Sequence, residues 1–505
     1  MTHKNIIDKA VSWINPVAGA RRQVAREILA IGGYRGASRS SSNMSGWNPV
    51  TQDADAALLP DLTVLVNRSR YLAQNHTISA GAINTKVVNS VGTGLRLQTR
   101  IDRKFLNLSD EAADNIERNI EREFKMWAES TDCDSSRSST FHEIQSMVMR
   151  SMLVSGDVLV VLPQINRPDS PYRTSIQVIE ADRLCNPDGK QNTTEISGGI
   201  EKDQYGAPVA YHIMTEHPGG VGTYFRKRTW QRIQAFGKLT GRKNVLHLYQ
   251  KQRPGQTRGV PILAPVIDAL KMLDRYTDAE LMAAVTGAMY AVFITTEGDG
   301  IARSRDGQSR IDLGTGSVVE LLPGEKVEIA NPGRPNQAFD PFIQAILTQI
   351  GAALGLPFEV LRLHFSSSYS ASRAALMEAW KVFNFDRKWM ATQFCKPIYE
   401  IWLDEAVALG RISAPGYLTG DPAIKNAYLG SQWIGPSPGS LDPVKDANAA
   451  RIGLEIGTTT LAIETEKKGY DQEEIHQQRV KEKNKRIEDG LELSLEDMKN
   501  DPTVV

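Results

Sequence analysis

The sequence predicts an α+β fold, with helices and strands mixed along one chain. Three observations carry this. Residues 58–91 and 109–129 place apolar side chains at helical spacing. Short apolar runs bounded by turn residues, at 158–162 and 245–249, read as buried strands. Long connections separate these strands, and the turn signals Pro187-Asp188-Gly189, Gly198-Gly199 and Pro218-Gly219-Gly220 lie within them.

A chain of 505 residues is long enough for two or three domains. Charged residues make up 23% and apolar ones 41%, the balance of a soluble globular protein. Lys plus Arg number 59, as do Asp plus Glu, so the net charge is zero. That disfavours tight, sequence-specific DNA binding, which needs a basic surface, but not a surface along which DNA slides. The three cysteines, Cys133, Cys185 and Cys395, are odd in number and far apart, so a reducing compartment fits best. No window of eighteen residues is wholly apolar. The nearest, 281–294, is broken by Thr286 and Gly287, so no membrane span and no membrane partner are expected. The N-terminus lacks the apolar core of a signal peptide.

Residues 1–54 read as a basic arm, partly disordered, with a helix over about 18–30. Within 1–50, Lys4, Lys9, Arg21, Arg22, Arg26, Arg35 and Arg39 face only Asp8 and Glu27, a net of +5. Such an arm suits either solvent or an acidic partner. In 58–91 the apolar positions are Leu62, Leu65, Val66, Leu72, Ile78, Ala82 and Ile83; Gly92-Thr93-Gly94 ends the helix and a strand over 95–101 follows. Ser109 is placed to cap the next helix, with Ile116, Ile120, Phe124 and Trp127 as its apolar stripe. Another helix spans 141–154 and stops at Gly156, and further strands fall at 175–179 and 208–214. A long helix over 261–286 starts at Pro261. It packs through Ile262, Val266, Ala269, Leu270, Leu273 and Leu281, and carries Asp268, Lys271, Arg275 and Asp278 along a polar face, where they can pair with one another. Strands are expected at 291–296 and 318–329, around a Gly-rich basic loop in which Asp299 and Asp306 lack calcium-loop spacing. A helix over 341–354 comes next.

The stretch 355–410, GLPFEVLRLHFSSSYSASRAALMEAWKVFNFDRKWMATQFCKPIYEIWLDEAVALG, organises the chain. A Ser-rich loop bearing Arg362 and His364 runs into a long helix capped by Ser370 or Ser372. That helix should kink at Pro397, which has no N–H, and stop at Gly410. Three short helices follow, at 443–456, 459–468 and 471–485. Residues 464–505 hold 12 acidic and 8 basic side chains, a net of −4, which argues against a DNA-gripping helix-turn-helix there.

Catalytic patterns are wanting. His212 and His217 do not form an HExxH zinc pair, and there is no GxSxG elbow and no Walker lysine. An ATP-driven motor needs a phosphate loop, so the chain is not one. No metal site, cofactor or catalytic residue is assigned.

GLPFEVL followed by SSSYSASRAALMEAWK resembles the signature of the lambda-family portal proteins of tailed phages. Further phrases follow in that family's order: LVSGDVLVVLP, QVIEADRLCNP, GAPVAYHI, NVLHLYQKQRPGQTRGVP, VVELLPGEKVEIANPGRPNQAFDPF and SQWIGPSPGSLDPVKDANAA. The resemblance spans about 55–490. It implies a portal fold: an α/β wing (55–258), a long-helix stem (259–290), a small clip with connecting strands (291–335), a helix, tunnel loop (about 357–370) and long kinked helix (336–410), a helical crown (411–487) and an acidic disordered tail (488–505). It implies a non-enzymatic role, a ring-shaped channel at one capsid vertex for packaging and ejecting the genome. The expected partners are other copies in a dodecamer, double-stranded DNA bound without sequence preference, the terminase large subunit, capsid and scaffold proteins, and head–tail connectors. The expected location is the virion, with assembly in the host cytoplasm. Arg362, His364, Ser366, Ser367 and Ser368 would face DNA from the tunnel loop, and Lys271, Arg275, Asp268 and Asp278 from the stem. The alternatives are a metal-dependent DNA-processing enzyme, which needs clustered carboxylates, and a non-portal virion scaffold or adaptor.

Overall fold

The computed structural model describes residues 6–31, 37, 42–44, 46–221, 227–289, 293–296, 325–328, 338–365, 368–439 and 442–491. The chain forms two units, Met1–Asp53 and Ala54–Val505. In the first, helices α1 (Ile6–Ile14) and α2 (Pro16–Ile31) pack on each other. Pro16 opens α2, and the Asn15 side chain accepts from the Ala18 N–H at 3.1 Å. Two helices thus occupy much of the arm expected to be partly disordered. Lys4, Arg35 and Arg39 lie outside the described residues.

The second unit opens with α3 (Ala54–Asn75) and α4 (Thr77–Ser90), where one continuous helix was expected. The break is His76. Its backbone is extended and its Nδ1 accepts from the Ser79 N–H at 3.3 Å, making it the N-cap of α4. Strand β1 (Arg96–Thr99) follows, then α5 (Asp110–Glu129), capped by Ser109 as expected, and α6 (Phe141–Ser155), which Thr140 and Glu143 start with a capping box. Gly156, at φ +90°, ends α6.

The strands then build two antiparallel sheets. β2 (Asp157–Val161), β3 (Gln177–Glu180) and β8 (Val245–Tyr249) form one, in the order β3-β2-β8. β4 (Ile196–Ser197), β5 (Ile200–Lys202), β6 (Pro208–Met214) and β7 (Trp230–Gln234) form the other in sequence order. Side chains alternate across a strand. Val158 and Val160 therefore enter the main core, while Leu159 enters a smaller one with Ile179, Ile200, Tyr211 and Ile213.

A 3₁₀ turn, Ala264–Val266, leads into α7 (Ile267–Met289). Pro261 therefore does not start the helix, and Leu281 is not a packing position: it is 63% exposed. β9 (Phe293–Thr296) and β10 (Glu325–Glu328) pair antiparallel. The loop between them lies outside the described residues. The remaining helices are α8 (Phe339–Leu354), α9 (Phe358–Arg362), α10 (Tyr369–Met390), α11 (Lys396–Ala408), α12 (Pro422–Tyr428), α13 (Pro443–Glu455), α14 (Leu461–Lys467) and α15 (Gln472–Glu488), with strand β11 (Ser431–Ile434) between α12 and α13.

Between α10 and α11 the structure holds a π-helical turn, Ala391–Cys395, where a proline kink was expected. Pro397 cannot donate to the Gln393 carbonyl, and its ring would crowd that group. The π turn shifts the register before it, and Lys396 N–H reaches Ala391 O. Phe394, Tyr399 and Trp402 thereby enter the main core fully buried. There Phe124 meets Trp402 edge-on with centroids 5.1 Å apart, and Phe141 stacks on Phe394 at 5.7 Å. Each such pair adds about 0.5–1.5 kcal/mol beyond burial. β11 pairs antiparallel with β1 across more than 300 residues, so Trp433 joins this core. Nothing local in SQWI pointed to that partner.

Candidate functional site

The loop singled out in the sequence is built from short, firmly ended pieces. Gly355 closes α8 in the left-handed conformation at φ +70°. α9 makes barely more than one turn and ends at Leu363, a non-glycine residue at φ +53°. The His364 N–H then donates to Glu359 O at 3.0 Å. These bonds turn residues 362–365 outward, all exposed. The Arg362 guanidinium lies 5.2 Å from the Phe358 ring centroid, which restrains it without neutralising it. Ser366 and Ser367 lie outside the described residues. Ser368, not Ser370 or Ser372, is the N-cap of α10 and accepts from the Ala371 N–H at 3.4 Å. That bond uses one lone pair of the hydroxyl.

On α7, Asp268, Lys271, Arg275 and Asp278 are exposed as their spacing required. Their pairing differs from the expectation. Lys271 Nζ lies 3.6 Å from Asp274 and 6.0 Å from the Tyr71 ring, so its partner is one turn along the helix rather than Asp268 or Asp278. Asp274 also stands 3.3 Å from His76 Nε2. Burial lowers the His76 pKa. With Nδ1 accepting from Ser79, the neutral ring carries its proton on Nε2, the nitrogen that faces Asp274. One histidine thus starts α4 and lies against α7.

A joint between β2, β8 and the segment before α7 accounts for several of the sequence phrases. Asp157 of SGD is fully buried on β2. It receives Arg258 Nε at 2.5 Å, His247 Nε2 at 3.0 Å and the Gly259 N–H at 3.3 Å. Arg258 of RGVP also donates to the carbonyls of Ala181 and Leu184, both at 2.8 Å, which belong to the ADRL phrase. Burial alone would raise the Asp157 pKa. The Arg258 charge and the His247 hydrogen bond outweigh it and hold the carboxyl well below the usual range. Burial lowers the His247 pKa, so the ring stays neutral. Beside this cluster, Asp55 at the start of α3 accepts from Thr257 N–H and Oγ1 and from Ser197 Oγ, each at 2.8 Å. The segment leading into α7 is thus held by Asp157, by the Ala181 and Leu184 carbonyls and by Asp55. The sequence showed the phrases but not their convergence, because the contributing residues lie up to 202 positions apart.

Among the described residues, Glu180, Asp182 and His217 form an acid–histidine group close enough to share a cation. Arg70 already fills that role. It donates to both Asp182 oxygens, at 2.9 and 2.5 Å, and lies 3.7 Å from Glu180. Arg70 thus ties the two carboxylates into an ion-pair network.

The family model "Phage portal protein, lambda family" matches residues 40–387. Portal protein B of Escherichia phage lambda is 27% identical over 488 residues, covering 91% of each chain. The portal protein of Escherichia phage N15 is 27% identical over 490 residues, with the same coverage. A probable portal protein of Halomonas phage phiHAP-1 is 25% identical over 443 residues, 84% of this chain and 81% of that one. Among solved structures, a chain from the neck of a native gene transfer agent particle is 13% identical, covering 80% of this chain and 92% of that one at a TM-score of 0.39. The family match spans most of the sequence, and it takes in the clamped joint, α7 and the exposed loop. The chain belongs to the lambda family of phage portal proteins, the connectors at the capsid vertex of the virion.

Proposed function

We propose that this portal protein works as a closed dodecameric ring whose channel carries the genome in and out. The observation that supports a ring is a set of apolar side chains a lone chain leaves in water. On α7, Met272, Leu281 and Met282 are 60–63% exposed, and on α10 Met377 and Phe385 are 62% and 64% exposed. Apolar residues repeated on two long helices suit burial against neighbouring copies. A head-to-tail interface of this kind closes into a ring. The wing is 55–258, the stem 259–290, the clip 291–335 and the crown 411–487. Terminase would dock during packaging and head–tail connectors afterwards, with capsid and scaffold proteins around the ring, in the host cytoplasm.

In that ring the 357–370 loop lines the channel. Arg362 and His364 stand exposed on a turn fixed at both ends, so each copy offers the same weak phosphate contact without reading bases. Many weak contacts hold DNA and still let it slide, which suits a chain of zero net charge. Lys271 and Arg275 would add to the field along the stem, Lys271 less, because Asp274 is beside it. Replacing Arg362 and His364 together by Ala is expected to leave ring assembly intact and to lower the yield of DNA-filled heads at least several-fold. Filled-head yield in a reconstituted packaging reaction is the readout, and an unchanged yield would remove the loop from the mechanism.

A further inference from the structure

We propose that the acidic start of α15 covers a basic strip on α5, and that duplex DNA competes for that strip through its phosphates. The inference rests on the reading of the protein as a DNA-handling ring, but it concerns different residues from the channel loop.

The strip comes from helical spacing. Arg118, Arg122 and Lys125 stand at i, i+4 and i+7, all exposed, while Ile120, Phe124 and Trp127 are buried. At 1.5 Å rise per residue the three span about 10 Å. A DNA strand rises ~3.4 Å per phosphate and winds as it rises, which puts successive phosphates about 6–7 Å apart, so the strip spans about two of them. Arg96 joins from β1. Within α5 these cations are weakly compensated. Arg118 and Arg122 donate to the neutral amides of Asn115 and Asn119, and Lys125 lies 4.0 Å from Glu129. Glu121 projects into the same place, but burial pushes its pKa up to about 7, so at neutral pH it offsets the strip only in part.

What faces the strip is a cluster of carboxylates across a groove of about 450 Å³. Asp471 accepts from Gln98 at 2.6 Å, and Glu473 and Glu474 lie 3.8 Å from Arg118 and Arg96. Arg96 also donates to Gly469 O at 2.5 Å. These contacts are polar and reach solvent, and α13, α14 and α15 contribute no buried residue. With no apolar anchor, the attachment is open to screening and to competition by a denser polyanion. The acidic helix start occupies the strip as a substitute for phosphates.

The test uses the full chain and a short labelled duplex of random sequence, read by fluorescence anisotropy at low and moderate salt. The triple variant D471N/E473Q/E474Q keeps an Asn cap on α15. It should bind the duplex about threefold to tenfold more tightly than the parent, with a steeper salt dependence. E455Q/E482Q/E488Q makes the same charge change elsewhere on α13 and α15 and should give a much smaller gain. Adding R118Q/R122Q to the first variant should abolish its gain, while adding R362A/H364A should not, which separates this surface from the channel loop. Melting curves must match the parent. Equal gains in the two triple variants, or a gain that survives R118Q/R122Q, would overturn the proposal. Stronger displacement by polyglutamate than by unlabelled duplex at matched charge would overturn DNA as the competitor.

Discussion

Replacing Asp157 by Ala is expected to destabilise the chain by about 3–5 kcal/mol, the usual result of removing one partner from a buried ion pair. Arg258 would keep its bonds to the Ala181 and Leu184 carbonyls, but its charge would be buried without a counter-charge. His247 would lose the acceptor for its Nε2 proton. The double variant D157A/R258M should recover much of the loss, because an uncharged pair carries no desolvation penalty. Thermal melting of the purified variants checks both statements. Equal destabilisation by single and double variants would show that the cluster matters through shape rather than charge.

The second large effect is expected at Gly259. Here the turn at Gly156, between α6 and β2, and the RGVP segment cross backbone to backbone. A Cβ on Gly259 would stand 1.9 Å from Gly156 O, and one on Gly156 would stand 2.7 Å from Gly259 C. Neither neighbour is a side chain that can rotate away. Gly259→Ala must therefore push the RGVP segment off the start of β2 and weaken the Asp157–Arg258 contact. Overpacking of this kind costs about 1–3 kcal/mol, and here the lost ion-pair geometry adds to it. Gly81→Ala is the control. It lies inside α4 with nothing within 4 Å of the added carbon, so it should stabilise by about 0.5–1 kcal/mol. A Gly259→Ala protein that melts with the parent would mean that the crossing is looser than the backbone distances state.

Local chemistry made much of this fold legible. The Ser109 cap, the Gly156 stop and the strands at 208–214 and 245–249 could be read because their signals lie within a few residues. His76 was not legible as a helix break, because a histidine cap has no strong propensity and its other ring nitrogen faces Asp274, about two hundred positions away. The π turn was visible only as Pro397; how a helix absorbs a missing N–H depends on what its neighbours must bury. The pairing of β1 with β11 had no local signal at all. For the site, the resemblance singled out the loop as a candidate, and Arg362 and His364 are exposed on it. The same spacing rule that placed Lys271 on the polar face of α7 also allowed Asp274 as its partner, which the i, i+3 pattern could have revealed. The α5 strip lay in the sequence as an ordinary charged helix face, and only the acidic helix folded against it gives it meaning.

The central claim is the ring, and the most direct measurement is cryo-electron microscopy of the purified chain, alone and with capsid and scaffold proteins, together with its native mass. The account predicts closed dodecamers with a central hole. The exposed faces of α7 and α10 would be buried between neighbours and the 357–370 loop would point into the hole. A chain that stays monomeric or dimeric in both conditions, or a ring whose loop faces outward, would contradict it.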